Sequence, residues 1–381
     1  MSDTEDRIRT THVGSLPRPP ELLDLIERRE QGQDVPASAF ESAIEEATRE
    51  VVRRQREVGL DVINDGEQPR VAFNFYVEDR LDGLGGESAF PTFTDLDDYP
   101  EYAGEAISSV LEFQTTPAVV APLEYDPAPA RAEIEASHEL LDETNGDDDT
   151  FVTAATPGTL AYTFGNEYYD TYEEKLFALA EAMSEEYELI ADATDAQLQL
   201  DAPDLLMGAH HTWKDHSIDE FREVVRLHVE AINDATAGVP RERLRLHTCW
   251  GNYEGPHHHD VPLSAVIDEL YRADVGILSI EQSNPRHQHE YDVFEEHPLP
   301  DDLTFMPGVI DTKTNFVEHP EVVAERLERA ATAIGDPGRI VAAPDCGFDT
   351  FADLGNVDRE IVWAKLEALV DGARLASERL F

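Results

Sequence analysis

Positive charge is scarce in this sequence of 381 residues. It has 29 lysines and arginines against 81 aspartates and glutamates, which gives a formal net charge of −52 at pH 7. Such a surface repels polyanions, so the composition excludes nucleic acid and anionic membranes as partners. Only four of the cations are lysines: Lys175, Lys214, Lys313 and Lys365. An acidic, lysine-poor surface suits a cytoplasm of very high salt, where screening weakens the repulsion between like charges, and we infer a halophile.

Cysteine and long apolar runs are also scarce. The two cysteines, Cys249 and Cys346, do not make a disulfide framework, which favours a reduced compartment. No run reaches the ~18 apolar residues that span a bilayer, and the first residues lack the basic and apolar regions of a signal peptide. We therefore expect a soluble, cytoplasmic protein.

Short apolar runs alternate with helical patterns along most of the chain. The strict alternation predicts a parallel sheet, and eight repeats with polar clusters at the strand ends favour a closed (β/α)₈ TIM barrel, an α/β fold. An open doubly wound sheet is disfavoured, because no Gly-x-Gly-x-x-Gly follows the first strand. The predicted strands are residues 7–12, 60–64, 151–155, 196–200, 244–247, 275–280, 304–309 and 340–343. The longer predicted helices are residues 38–58, 172–193, 217–234, 263–273, 321–334 and 357–380.

The alternation breaks between residues 69 and 149. Aromatic residues, glycines, prolines and an acidic run replace it, which predicts an insertion after the second strand with a small antiparallel sheet of its own. We expect one barrel domain, residues 1–381, that contains this insertion.

Residues that bind zinc well follow three of the predicted strands. His247 and Cys249 stand two positions apart, and alternate residues of an extended strand point to the same side. Glu281 follows the sixth strand and Cys346 follows the eighth. Zinc takes four such ligands, or three when one position is kept for substrate. On spacing alone an alternative stays open, in which the cysteines are small core residues, Glu281 is a loop acid and His247 is a capped histidine.

A run of histidines, His257, His258 and His259, follows the fifth strand, with His287 and His289 nearby. The run invites a second metal site. Consecutive loop residues rarely face one ion, so we interpret them as a polar rim of the barrel.

Acidic residues also follow two other strands. Glu67 closes Asp65-Gly66-Glu67 after the second strand, and Asp201 follows the fourth. Helix capping accounts for Asp201 better than for Glu67.

Eight short motifs occur in one order along nearly the whole chain, and in that order they resemble the catalytic barrel of cobalamin-independent methionine synthase. As a set they are much more specific than any one of them. The motifs are Thr11-His12-Val13-Gly14-Ser15, Asp65-Gly66-Glu67, Thr156-Pro157-Gly158, Asp201-x-Pro203, His247-x-Cys249, Ile280-Glu281, Gly308-Val309-Ile310-Asp311 and Pro344-Asp345-Cys346-Gly347.

The resemblance implies a zinc-dependent methyltransferase that methylates the thiol of homocysteine to form methionine. It implies that Glu67 and Asp201 hold the substrate ammonium and that main-chain N–H groups around Ser15 hold the carboxylate. The zinc ligands implied are His247, Cys249, Glu281 and Cys346. The substrate-binding candidates are His12, Ser15, Arg18, Glu67 and Asp201.

The implied ligand set suits this chemistry. Two thiolates and a carboxylate leave zinc net anionic, so a bound substrate thiol is deprotonated yet stays electron-rich and nucleophilic. Zinc that activates water usually has neutral histidine ligands. The set therefore favours attack by sulfur over hydrolysis.

The sequence departs from the family in two respects. The full family enzyme has a second, N-terminal barrel that is absent here, and the family's folate-protonating histidine is replaced in Thr312-Lys313-Thr314. Lys313 and Asp311 become the candidate catalytic residues. The methyl donor stays open between methyl-folate and a methylated corrinoid carried by a protein.

Three alternatives remain. One is a transferase acting on another small thiol such as coenzyme M, one is a zinc hydrolase, and one is a non-catalytic barrel that binds a partner through the insertion. The fold alone does not separate them.

Overall fold

The computed structural model describes residues 6–89, 93–106, 115–143, 149–352 and 355–381. The strands in these residues are Arg9–Thr10 (β1), Val62–Ile63 (β2), Leu81–Ala89 (β3), Thr115–Tyr125 (β4), Asp149–Ala155 (β5), Gly165–Asn166 (β6), Gln197–Asp201 (β7), Leu244–Thr248 (β8), Ile277–Ile280 (β9), Thr304–Ile310 (β10) and Val341–Pro344 (β11). The α-helices are Pro20–Glu30 (α1), Ala37–Val58 (α2), Thr94–Asp97 (α3), Pro100–Ala106 (α4), Pro127–Glu143 (α5), Pro157–Thr163 (α6), Tyr172–Ala193 (α7), Ile218–Ala235 (α8), Ile267–Leu270 (α9), Val293–Glu296 (α10), Pro320–Ile334 (α11) and Arg359–Leu380 (α12).

Eight strands form one sheet in the order β1-β11-β10-β9-β8-β7-β5-β2, with parallel pairing throughout. The two outer strands also meet, because the main-chain N–H of Asp61 donates to the carbonyl of Thr10 at 3.0 Å. Strands covered by helices are buried on both faces, which explains their continuous apolar runs. The predicted (β/α)₈ barrel is confirmed.

Local signals in the sequence set the ends of the outer helices. α2 ends where Gly59 adopts φ of +92°. α7 begins with a capping box of Thr171 and Glu174, and α8 with one of Ser217 and Glu220. These helices coincide with the predicted ones to within a residue or two.

The helix predicted over residues 263–273 is wrong in length. The structure has a short 3₁₀ turn at Leu263–Ala265 and then only α9. Val266 lies between them with φ of −128°, outside the helical range, so the apolar periodicity is shared by two separate turns.

The predicted insertion, residues 69–149, contains the antiparallel pair β3 and β4, to which β6 adds in parallel. α5 packs between α2 and α7 in the outer ring, where the second βα unit of a barrel places its helix. The excursion therefore ends before α5 and not at residue 149. The parts of the prediction at residues 90–92, 107–114 and 144–148 lie outside the described residues.

No helix in the described part of the chain is long and apolar enough to cross a membrane.

Candidate metal and substrate site

Three of the four predicted zinc ligands lie together at the carboxyl ends of the strands, which we call the mouth of the barrel. His247, in β8, and Cys249 and Cys346, just after β8 and β11, are buried, and their donor atoms all lie within 4.8 Å of one another. A hydrogen bond from the Cys346 thiol lowers the pKa of Cys249. Nδ1 of His247 lies 3.4 Å from the hydroxyl of Ser279, which orients the ring.

Glu281 lies beside this group but not within it. Its Oε1 accepts hydrogen bonds from Nζ of Lys313 and Nδ2 of Asn284, both at 2.5 Å, and its Oε2 accepts from the main-chain N–H of Trp250 at 3.2 Å. Burial raises the pKa of Glu281, but the Lys313 ammonium outweighs burial and holds it below its usual value. Glu281 is thus an ionised carboxylate next to the thiols, and its role as fourth ligand stays a prediction.

The two candidate catalytic residues lie on the loop after β10. Burial lowers the pKa of Lys313, but the carboxylates of Glu281 and Asp345 reverse this and hold it well above its usual value. Oδ1 of Asp311 accepts hydrogen bonds from the main-chain N–H groups of Lys313 at 2.7 Å and Thr314 at 3.0 Å. Asp311 therefore shapes the loop, and Lys313 forms an ion pair with Glu281.

Glu67 and Asp201 form an acidic pair within the mouth. Oε1 of Glu67 accepts from the Thr153 hydroxyl at 2.8 Å, while its buried Oε2 has no hydrogen-bond partner among the described residues. Burial raises the pKa of Glu67, and burial together with the Glu67 charge raises the pKa of Asp201 to about 7, against the opposing effect of His247. A buried, unpartnered carboxylate oxygen near a second carboxylate is suited to a bound ammonium group.

Glu67 is held in an unusual backbone conformation, with φ of +55°. Gly14 leaves room for the side chain of Glu67, because a Cβ on Gly14 would collide with Oε1 of Glu67. Gly14 itself has φ of +128°, which favours glycine.

The other predicted substrate residues make internal contacts. The buried guanidinium of Arg18 donates to the carboxylate of Asp349 at 2.8 Å and to the carbonyls of Glu67 and Arg70 at 2.8 and 2.6 Å. His12 hydrogen-bonds Gln55 at 2.8 Å, and burial lowers the pKa of His12 to about 3, so its ring is neutral. Arg18 thus ties together the loops after β1, β2 and β11.

Ser15 lies where those loops meet. Its hydroxyl accepts from the main-chain N–H of Asp349 at 3.3 Å, and its carbonyl accepts from the N–H of Phe348 at 2.9 Å. The carboxylate-binding role predicted for its surroundings stays a prediction.

A buried network that was not predicted from the sequence supports the loop after β8. Oδ2 of Asp260 lies 2.9 Å from Nδ1 of His257 and 2.7 Å from Nε2 of His287. The ring of His287 stacks on Trp250 at a centroid distance of 3.5 Å, and Trp250 directly follows Cys249. Asp260 stands next to the histidine run in the sequence, which was an available signal.

The insertion reaches this loop through Asp95. Its Oδ2 accepts from the hydroxyl of Tyr253 at 2.7 Å and from the main-chain N–H of His257 at 2.9 Å. Phe93 stacks on Tyr253 at 4.2 Å. Nothing in the sequence distinguished Asp95 from the other acids of its acidic run.

The chain is similar to known proteins along most of its length. The family model described as "Cobalamin-independent synthase, Catalytic domain" matches residues 8–104 and 157–374. A methionine synthase of Thermococcus kodakarensis is 28% identical over 372 residues, covering 97% of this chain and 94% of the relative. A 2-hydroxypropyl-CoM lyase of Xanthobacter autotrophicus is 25% identical over 408 residues, covering 98% of this chain and 96% of the relative.

A solved structure shares the fold. The B12-independent methionine synthase from Shewanella sp. W3-18-1, in complex with selenomethionine, aligns over 98% of this chain and 99% of its own, with a TM-score of 0.72 and 18% identity. Because the family model covers most of the sequence, the chain belongs to the cobalamin-independent methionine synthase family, through its catalytic domain. It is an enzyme, a methyltransferase of that family.

Proposed function

We propose that the protein transfers a methyl group to the thiol of homocysteine and so forms methionine. The observation that supports this most directly is the juxtaposition of two unlike groups in one mouth: the thiols and imidazole of Cys249, Cys346 and His247, and the carboxylates of Glu67 and Asp201. The first group suits a metal that binds the substrate sulfur. The second suits the substrate ammonium.

The residues present fit zinc. Two thiols and an imidazole are buried with their donor atoms within 4.8 Å, and sulfur and nitrogen donors are those that zinc prefers. We propose Glu281 as the fourth donor, which requires its carboxylate to share or release its contact with Lys313. Zinc, when bound there, would lower the pKa of the substrate thiol so that it reacts as a thiolate.

The acidic pair argues for an amino-acid thiol over coenzyme M. Coenzyme M carries an anionic sulfonate and no ammonium, so Glu67 and Asp201 would repel it in their ionised forms. A homocysteine ammonium would instead pair with the unpartnered oxygen of Glu67. Because the chain is similar to a CoM lyase, coenzyme M is the substrate with which homocysteine should be compared.

We further propose that a methylated corrinoid, delivered by a protein, serves better as methyl donor than methyl-folate. A folate nitrogen leaves poorly unless an acid protonates it. Here Lys313 stands where the family that the sequence resembles has a histidine, and the ammonium of an ordinary lysine, with a pKa of about 10.4, is a much weaker acid than an imidazolium, with a pKa of about 6.5. A corrinoid is a better leaving group and needs no such acid.

We propose the compartment to be a cytoplasm of high salt, because the excess of acidic over basic side chains disfavours a compact state at low ionic strength.

The test is a rate measurement on zinc-loaded protein in high salt. Methylcobalamin, methyl-folate and its polyglutamate are compared at saturating homocysteine, and coenzyme M replaces homocysteine in a parallel series. We expect methionine formation that is fastest with methylcobalamin and a much slower reaction with coenzyme M. Folate turnover that matches the corrinoid rate and is lost in Lys313→Ala would show that Lys313 is the acid and that the donor proposal is wrong. Hydrolysis of model esters without any thiol, and no methyl transfer, would support a zinc hydrolase instead.

A further inference from the structure

A second cluster of metal-ligating side chains lies on the exposed side of the mouth. It consists of Asp98, His258 and His259, whose donor atoms lie within 4.8 Å of one another. Nε2 of His258 and Nε2 of His259 lie 2.9 and 3.0 Å from the same oxygen, Oδ2 of Asp98. Asp98 belongs to the insertion, directly after α3, and the histidines belong to the loop after β8. Two neighbouring loop residues thus face one point, contrary to their interpretation as a mere polar rim.

The hydrogen bond of Thr94 determines which nitrogen of His259 carries the proton. The Thr94 hydroxyl donates to the carbonyl of His210 at 3.0 Å, and it also lies 3.1 Å from Nδ1 of His259. A hydroxyl has one proton, and a carbonyl can only accept. Nδ1 of His259 must therefore carry a proton and donate to Thr94, so that whenever the ring has a single proton the lone pair is on Nε2.

That lone pair faces a carboxylate oxygen at 3.0 Å. Two acceptors at this distance repel each other unless a proton or a cation lies between them. A metal ligand histidine characteristically donates its other N–H to an oxygen, as His259 does to Thr94. Nδ1 of His258 has no hydrogen-bond partner among the described residues, so this ring hydrogen-bonds there only through Nε2, which faces Asp98.

From this geometry we propose that Asp98, His258 and His259 bind a divalent ion of the zinc class, with water completing its coordination. Ligands at about 2.0 Å from a tetrahedral ion lie about 3.3 Å apart, so the observed spacings must widen by a few tenths of an ångström. The three side chains are 55%, 33% and 38% exposed, which leaves them free to make that adjustment. The ion would join the insertion to the loop that begins at Cys249, beside the contact of Asp95 with His257.

The proposed site has nitrogen and oxygen donors, whereas the buried thiol site has sulfur donors. The absorption spectrum of bound cobalt(II) therefore distinguishes the two sites. Cobalt bound by thiolates has an intense sulfur-to-metal charge-transfer band, whereas nitrogen and oxygen ligands give only weak d–d bands. Protein with its thiol site filled with zinc is titrated with cobalt(II) in high salt. We expect one further equivalent to bind with d–d bands alone, and we expect Asp98→Ala and His259→Ala each to weaken this binding about tenfold or more.

The chain offers a matched control in an exposed pair that has only one histidine. Nδ1 of His297 lies 2.8 Å from Oδ1 of Asp268, so His297→Ala removes a histidine next to a carboxylate without touching the proposed site. This variant should bind cobalt as the unchanged protein does. Absence of a second equivalent at millimolar cobalt, or equal binding in Asp98→Ala, His259→Ala and His297→Ala, would overturn the proposal. The result is independent of the proposed methyl transfer, because cobalt that entered the thiol site in place of zinc would show itself by a sulfur-to-metal charge-transfer band.

Discussion

Removal of the imidazole of His287 should change how the stability of the protein depends on pH. Burial lowers the pKa of His287, but its hydrogen bonds to Asp260 and Glu290 outweigh burial and raise it from 6.5 to about 9. A raised pKa means that the folded state binds the proton more tightly than the unfolded state does. The stabilisation is therefore complete below about pH 6.5 and is lost as the pH rises through about 9.

The size of the effect follows from the shift. A difference of roughly two and a half pKa units corresponds to about 3 kcal/mol, most of which is present at pH 7 and absent at pH 10. Other groups also titrate in this interval, so the quantity to measure is the difference between the unchanged protein and His287→Gln. The free energy of unfolding of both would be measured by denaturant titration in high salt at pH 6, 7, 8, 9 and 10.

We expect the two proteins to differ most at pH 6 to 7 and to converge toward pH 10. A control variant, His216→Gln, changes a histidine that packs at the edge of Trp213, away from this network, and should leave the pH dependence unaltered. A constant difference between the unchanged protein and His287→Gln from pH 6 to 10 would mean that His287 is not held protonated by Asp260 and Glu290, and the reasoning would fail.

Three further predictions follow from the site and the composition. In the unchanged protein, we expect metal at the thiol site to survive dialysis against a weak chelator. Cys249→Ser and Cys346→Ser should each lose this metal, whereas His258→Ala should retain it. Equal metal content in all three variants would show that the thiols do not bind the metal. Glu67→Gln should raise the KM for homocysteine by roughly tenfold or more, since a charged hydrogen bond contributes about 1.5–3 kcal/mol, and the deaminated analogue 4-mercaptobutyrate should show no such change. The melting temperature should rise steeply from low to molar salt because 52 uncompensated negative charges are screened; a flat profile would refute this.

The convergence of three of the predicted zinc ligands could be predicted because strand ends are a property of sequence pattern. His247, Cys249 and Cys346 each stand at or just after an apolar run, and the runs of a parallel barrel end at one mouth. The same logic placed Glu67 and Asp201 at that mouth. Strand and helix positions followed from periodicity wherever an element was long or capped.

Long side chains and distant loops were not predictable in this way. Lys313 has a long, flexible side chain that reaches from its own loop to Glu281. The local sequence pattern does not indicate which group such a side chain contacts. The partner of His258 and His259 is Asp98, an acid in a run of acids and in a segment that leaves the barrel alternation. The length of α9 was overestimated because hydrophobic periodicity does not reveal that the backbone of Val266 is not helical.

β1 pairs with β11, so the first strand of the barrel is synthesised long before the strand beside it. Thr10 cannot pair with Ala342 until the ribosome has made most of the chain. At typical rates of synthesis this interval lasts roughly 20 to 60 seconds. His247 and Cys249 are synthesised during this interval. Cys346 is synthesised only after β11, the strand that pairs with β1. A growing chain thus carries an unpaired thiol that is open to oxidation or to the wrong metal until its last portion appears. Cells that make this protein would need to keep that thiol reduced until the barrel closes around it.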